Sequence, residues 1–119
     1  VNSPDLVLDS AAIARLRHLA ETVAQPGEDL IAQLVDIFVN DSRSRLEALT
    51  AAWRAGDAAV ACRAAHTIKG SAANLGASRV VLLSRAIEQL CRDQAVCDEV
   101  ALESLRVALD EAWAALRAL

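Results

Sequence analysis

The 119 residues fit one domain, long enough to bury roughly two-thirds of the surface that the unfolded chain exposes. Ala, Leu and Val dominate a hydrophobic fraction of 55%, aromatics are only 3%, and with four Gly and two Pro the balance favours helix over sheet. A formal charge of −4 and an isoelectric point near 5.1 supply no basic field of the kind that holds a phosphodiester backbone, which argues against nucleic-acid binding.

The first predicted helix follows Asp9, a natural N-cap, and runs to about Ala24, with Ile13, Leu16, Ala20 and Val23 at helical spacing. Gln25-Pro26-Gly27 interrupts it, because a proline inside a continuing helix loses a hydrogen bond and clashes with the preceding turn. A long helix is predicted from about Glu28 to Ala55. Its apolar stripe is Ile31, Leu34, Val35, Phe38, Leu46, Leu49 and Trp53, and Gln33, Asp36, Asn40, Arg43, Glu47 and Arg54 share the opposite side. Gly56 and Asp57 then make a tight turn, the glycine ending one helix and the aspartate capping the next.

The third helix spans about Asp57 to Leu75. Residues placed 100° apart around its axis put Val60, Ala64, Ser71 and Leu75 together, with Thr67 and Ile68 flanking them and His66 and Lys69 roughly opposite. Leu75-Gly76 ends it, and Ser78 is the expected cap of a fourth helix that carries Val80, Leu83, Ile87 and Leu90 on one face. After a connection over 93–98, a fifth helix from about Glu99 to Arg117 presents Leu102, Leu105, Leu109, Ala112 and Leu116. Short links make sequence neighbours antiparallel. The expected fold is all-α: an up-down-up-down four-helix bundle over 28–117, with an additional short N-terminal helix over 9–24 packed at one end, all within a single domain over 1–119.

No apolar run approaches the roughly 20 residues of a membrane span, and no basic leader precedes an apolar signal core. Three cysteines, Cys62, Cys91 and Cys97, form no CxxC pair and suit a reducing compartment as packing or surface thiols. A cytoplasmic monomer without direct membrane contact is the expectation. With no Met and a start at Val1, the sequence reads as a piece of a longer polypeptide. Four-helix bundles that hold two metals use Glu-x-x-His motifs, and no Glu lies three residues before either His here, so no metal ligands are expected.

His66 is the residue with chemistry to offer. A histidine kept for packing sits within the apolar stripe; this one points away from it. Imidazole, with an ordinary pKa of about 6.5, is a competent nucleophile near neutrality without a dedicated base. Lys69, one turn on, is expected to disfavour the protonated ring and to pair with the oxygens of an attached phosphoryl group. Gly70 removes side-chain bulk beside the ring although glycine within a helix costs about 1 kcal/mol relative to alanine. Ala73 keeps the approach low and Arg63 and Asn74 border it. Ser71 is expected to face the bundle interior, and His18, with no comparable setting, is read as a surface side chain.

The stretch His66-Thr67-Ile68-Lys69-Gly70-Ser71-Ala72-Ala73-Asn74-Leu75-Gly76-Ala77 closely resembles the signature of histidine-containing phosphotransfer (HPt) domains. In that signature the His, a Lys three on, a Gly four on and a terminal Leu-Gly-Ala recur. Leu34 to Phe38, Leu46 to Leu49 and the Ala55-Gly56-Asp57 hinge are similar to the family's preceding helix and turn, and the resemblance covers roughly Leu8 to Leu116. It implies a phosphorelay intermediate without an ATP site or cofactor of its own, one module of a hybrid sensor histidine kinase or a free carrier. His66 would take a phosphoryl group on Nε2 from a receiver-domain aspartate and pass it to the aspartate of a response regulator. Lys69 would steady the phosphoryl oxygens, Gly70 would give clearance, and Asp36, Asn40, Arg43, Arg63 and Ala73 would line the receiver-docking surface. The receiver would bring Mg²⁺ and the acidic pocket.

Two other readings compete. In one, the chain is a module of a chemotaxis-type kinase phosphorylated directly from ATP by a separate catalytic domain, against which the missing acid immediately after His66 weighs mildly. In the other it is a docking module that binds a receiver without exchanging phosphate.

Overall fold

The computed structural model describes residues 7–119, so residues 1–6, which the one-domain reading includes, lie outside the described residues. Five helices follow in order: α1 (Ser10–Val23), α2 (Leu30–Arg54), α3 (Ala58–Asn74), α4 (Ser78–Arg92) and α5 (Glu99–Arg117). No strand forms among the described residues. Four of the five starts are held by an aspartate whose carboxylate accepts from an otherwise unpaired amide: Asp9 from Ala11, Asp29 from Ala32, Asp57 from Val60 and Asp98 from Ala101, at 3.0–3.2 Å. Each such cap contributes about 1 kcal/mol.

Two boundaries differ from the sequence expectation. α2 begins at Leu30, because Asp29 is the cap while Glu28 turns back to accept from the Gln25 amide at 2.8 Å. Ser78 does not cap α4. Ala77 occupies the cap position without a side chain to offer, and the Ser78 hydroxyl lies 3.5 Å from the Gly76 carbonyl. The cause is the tightness of the α3–α4 turn. Gly76 adopts φ +70°, and a Cβ there would come within 2.8 Å of the Ala12 Cβ, so glycine is needed both for the turn and for the seating of α1. The Asp9 amide donates to the Gly76 carbonyl at 2.7 Å, tying the start of α1 to this end of the bundle.

The helices α2 to α5 form the antiparallel bundle, in which α3 packs most extensively, against α2 on one side and α4 on the other. Its buried face is Ala61, Ala64, Ala65, Ile68 and Ala72. Val60, Thr67 and Ser71, expected in or beside the stripe, are only half-buried. Hydropathy favours Val and Leu as stripe markers, whereas a helix pressed from two sides buries its smallest residues where backbones approach. By contrast, the stripe expected for α5 is buried throughout.

Polar ties set the register of the outer helices. The Trp113 indole N–H donates to the buried Ser42 hydroxyl at 2.9 Å, joining α5 to α2, and the Trp53 indole N–H donates to the Ala95 carbonyl at 3.0 Å, anchoring the α4–α5 connection. Arg54 forms a two-point pair with Glu99 across the same end. Among the described residues no helix is long and apolar enough to cross a membrane.

Candidate functional site: a histidine over a buried carboxylate

His66 lies near the middle of α3 with its side chain 65% exposed. Beneath the ring is Glu88 of α4, a buried carboxylate that the sequence reading did not single out. Its Oε2 lies 2.8 Å from His66 Nδ1 and 2.9 Å from an Arg92 guanidinium nitrogen, and its Oε1 lies 2.6 Å from Lys69 Nζ. Burial pushes the Glu88 carboxyl up, but the hydrogen bonds from Lys69 and His66 and their charges outweigh it and hold the carboxyl below its usual range. An ionised carboxylate only accepts, so Nδ1 must be the donor. The ring's lone pair is thereby directed to Nε2, on the side open to water.

Glu88 reaches this place because α4 buries Val80, Ser84, Ile87, Glu88 and Cys91. The expected stripe, with Leu83 and Leu90, is rotated away, and both leucines are half-buried. The reason is α3: its alanine face draws α4 close, and Lys69 of α3, with Arg92 of α4 itself, compensates a carboxylate at a position where hydropathy anticipates a leucine.

Lys69 stands differently from the expectation. It is 26% exposed and bonded to Glu88, so in the resting protein its charge is offset by the carboxylate and does not act on the ring alone. Gly70 is exposed, and a Cβ at that position would meet nothing within 4 Å. The fold therefore does not require glycine here. Gly70→Ala is expected to raise stability by about 1 kcal/mol through better helix propensity, which thermal unfolding checks; an unchanged melting temperature would show that the helix gains nothing from a Cβ there.

Arg63, Ala73 and Asn74 are exposed on α3 beside the histidine, and Asn40 is exposed on α2. Asp36 and Arg43 are turned to α5 instead: Asp36 accepts from Arg117 at 2.8 Å, and the Arg43 guanidinium stacks 5.2 Å from the Trp113 ring centre. The structure does not bring these two beside His66. His18 is exposed on α1. Burial pushes the Cys91 thiol up to about 11, with Cys62 and Cys97 nearby adding to the effect, so it is a poor nucleophile.

The comparisons agree with this geometry. The model of the Hpt domain family matches residues 33–119. Among solved structures, the chain is similar to histidine-containing phosphotransfer protein B (HptB) from Pseudomonas aeruginosa PAO1, with a TM-score of 0.79 and 26% identity over 95% of this chain and 93% of that one. No match is found among curated protein sequences. An all-α bundle, an exposed helical histidine and a family match over most of the chain converge: this protein belongs to the Hpt family and is a histidine phosphotransfer module of a phosphorelay.

Proposed function

We propose that His66 accepts a phosphoryl group from the aspartyl phosphate of one receiver domain and delivers it to the aspartate of another. The observation that carries this reading is the 2.8 Å bond between Nδ1 and Glu88, which leaves Nε2 of a 65% exposed ring as the nucleophile. In the forward step the Nε2 lone pair attacks phosphorus, the bond between phosphorus and the carboxyl oxygen breaks, and the donor carboxylate leaves. The ring keeps its Nδ1 proton and becomes a phosphorylated imidazolium, whose positive charge faces the Glu88 carboxylate. In the return step an incoming carboxylate attacks phosphorus and neutral imidazole leaves.

Lys69 and Arg92 sit on Glu88, and in this scheme their free donors pair with phosphoryl oxygens as charge moves onto the ring. Mg²⁺ belongs to the receiver in this scheme, and this chain contributes the nucleophile, its carboxylate partner and the cations.

Receiver domains loaded from labelled acetyl phosphate test the proposal. Label should pass to the wild-type chain as an acid-labile, base-stable phosphate and be absent from His66→Gln. Label that appears only with ATP and a kinase catalytic domain would favour direct phosphorylation, and label retained by His66→Gln would end the proposal.

A further inference from the structure

α5 carries two apolar stripes. Leu102, Leu105, Leu109, Ala112 and Leu116 are buried in the core. At 100° per residue, Val100, Ser104, Val107 and Ala108 fall on a second stripe beside the first, on the side turned to α4. The two helices do not close there: with Leu83 of α4 the second stripe lines an open groove of about 510 Å³. Val100 is 76% exposed and Val107 41%, and Val96, in the connection before α5, is 88% exposed.

The rim of this groove is acidic. Glu99, Glu103 and Glu111 line it against one cation, Arg79, which pairs with Glu111 at 3.2 Å. Residues 93–111 carry six acids, Asp93, Asp98, Glu99, Glu103, Asp110 and Glu111, and one base, Arg106, so this stretch alone holds more negative charge than the −4 of the whole chain. Hydrogen bonds from Arg54 hold the Glu99 carboxyl down at about 2, and those from Arg106 hold Glu103 below its ordinary range, so the rim stays ionised. All of these ion pairs lie at the surface, where such pairs contribute about 0–1 kcal/mol, and an incoming cation exchanges with them readily. The groove is also separate from the histidine. α4 turns Glu88 to His66 and turns Leu83 about 140° away around its axis, into the groove.

We infer that the groove between α4 and α5 is a docking site for an amphipathic helix whose apolar stripe is flanked by Lys and Arg. From Glu99 to Glu111 it runs about 18 Å at 1.5 Å per residue, the length of about three turns. Two antiparallel helices receive a third by the same ridge-and-groove packing that builds the bundle, and a helix satisfies its own backbone groups, which a groove lined by side chains does not do for an extended strand. Leu83, Val100 and Val107 meet the apolar stripe of the partner, and Glu99, Glu103 and Glu111 meet its cations. A second copy of this chain is a poor occupant, because a two-fold pairing here sets acidic rim against acidic rim. Nucleic acid and anionic membrane surfaces are repelled by the same charge. A helix held on this side of α4 tethers the protein and leaves Nε2 of His66 open, so the inference stands apart from the phosphotransfer reading.

Fluorescence anisotropy at low salt, with a labelled helical peptide of about 14 residues that repeats leucine at spacings of three and four among lysines, tests the inference. The wild type should bind it, with amide NMR shifts confined to the facing sides of α4 and α5. Val100→Asn and Val107→Asn, both at exposed positions, and Glu103→Gln combined with Glu111→Gln should each weaken binding about ten-fold, with circular dichroism confirming that the variants keep their helices. The same peptide with glutamate in place of lysine should not bind, and phosphoryl uptake on His66 should be unchanged with the basic peptide bound. No binding at about 1 mM peptide, equal binding of the acidic peptide, shifts centred on α3, or indifference to all three substitutions overturns the inference. Self-association of the chain that Val107→Asn abolishes overturns it too, and assigns the groove to a second copy.

Discussion

Glu88→Ala is expected to slow phosphoryl transfer through His66 by about 10–100-fold while leaving the bundle folded. The carboxylate holds the Nδ1 proton at 2.8 Å, and removing it releases that proton to exchange between both ring nitrogens. Nitrogen NMR of the His66 ring should show the change directly: Nδ1 protonated in the wild type, and a mixture of tautomers in the variant. Stability should fall by only about 1 kcal/mol, since Arg92 is 59% exposed and Lys69, although 26% exposed, can turn its ammonium group to water.

Glu88→Gln separates orientation from charge. Its amide oxygen can still accept from Nδ1, so the tautomer and most of the transfer rate should survive. Because the wild-type carboxyl is held below its ordinary 4.5, the stability it contributes is complete above that pH and is lost as the pH falls through the lower folded value. The wild type should therefore melt above Glu88→Gln at neutral pH, and the gap should narrow on acidification below 4.5. A gap that widens on acidification, or a His66 tautomer unchanged in Glu88→Ala, would show that the carboxylate does not position the ring.

Ile68→Ala should lower stability by about 2–5 kcal/mol, because it opens a cavity in the face that α3 presents to the core. Ile68 is 1% exposed and is surrounded on its own helix by buried alanines, which have no volume with which to fill the space. In a chain of 119 residues this corresponds to a fall in melting temperature of roughly 10 °C or more. Ala65→Leu tests the same face with the opposite change in volume. Ala65 is fully buried, and the added atoms should force α3 from its neighbours at about 1–3 kcal/mol. Thermal unfolding by circular dichroism measures both, with phosphate uptake at low temperature reporting whether His66 stays accessible. A loss in Ile68→Ala of well under 1 kcal/mol would mean that α3 is not the packing centre.

Local chemistry in this chain is strong wherever a single residue type decides the outcome. Asp9, Asp57 and Asp98 precede helices and cap them, and Pro26 separates α1 from α2. Leu102, Leu105, Leu109, Ala112 and Leu116 repeat at helical spacing and are all buried. His66, set off from apolar neighbours, is exposed. These features depend on neighbours within about one turn, so they are legible from order alone.

The rotation of a helix about its axis is different, because it is settled by what presses on it. α3 buries alanines where Val60 and Ser71 were expected to contribute, and α4 buries Glu88 where Leu83 and Leu90 were expected. A signal for Glu88 was present: it is the one acid in two helices that otherwise carry only basic charges. Its meaning depended on Lys69 and Arg92 meeting it from two different helices.

The amino-acid order by itself determined five helices, their breaks, the bundle and the exposed histidine, because capping, proline geometry and apolar spacing act within a few residues of the chain. Only the tertiary structure decided which nitrogen of His66 faces solvent and which cations surround it. A carboxylate 22 residues away approaches the ring only after α3 and α4 have packed, and a buried charge persists only where its partners converge.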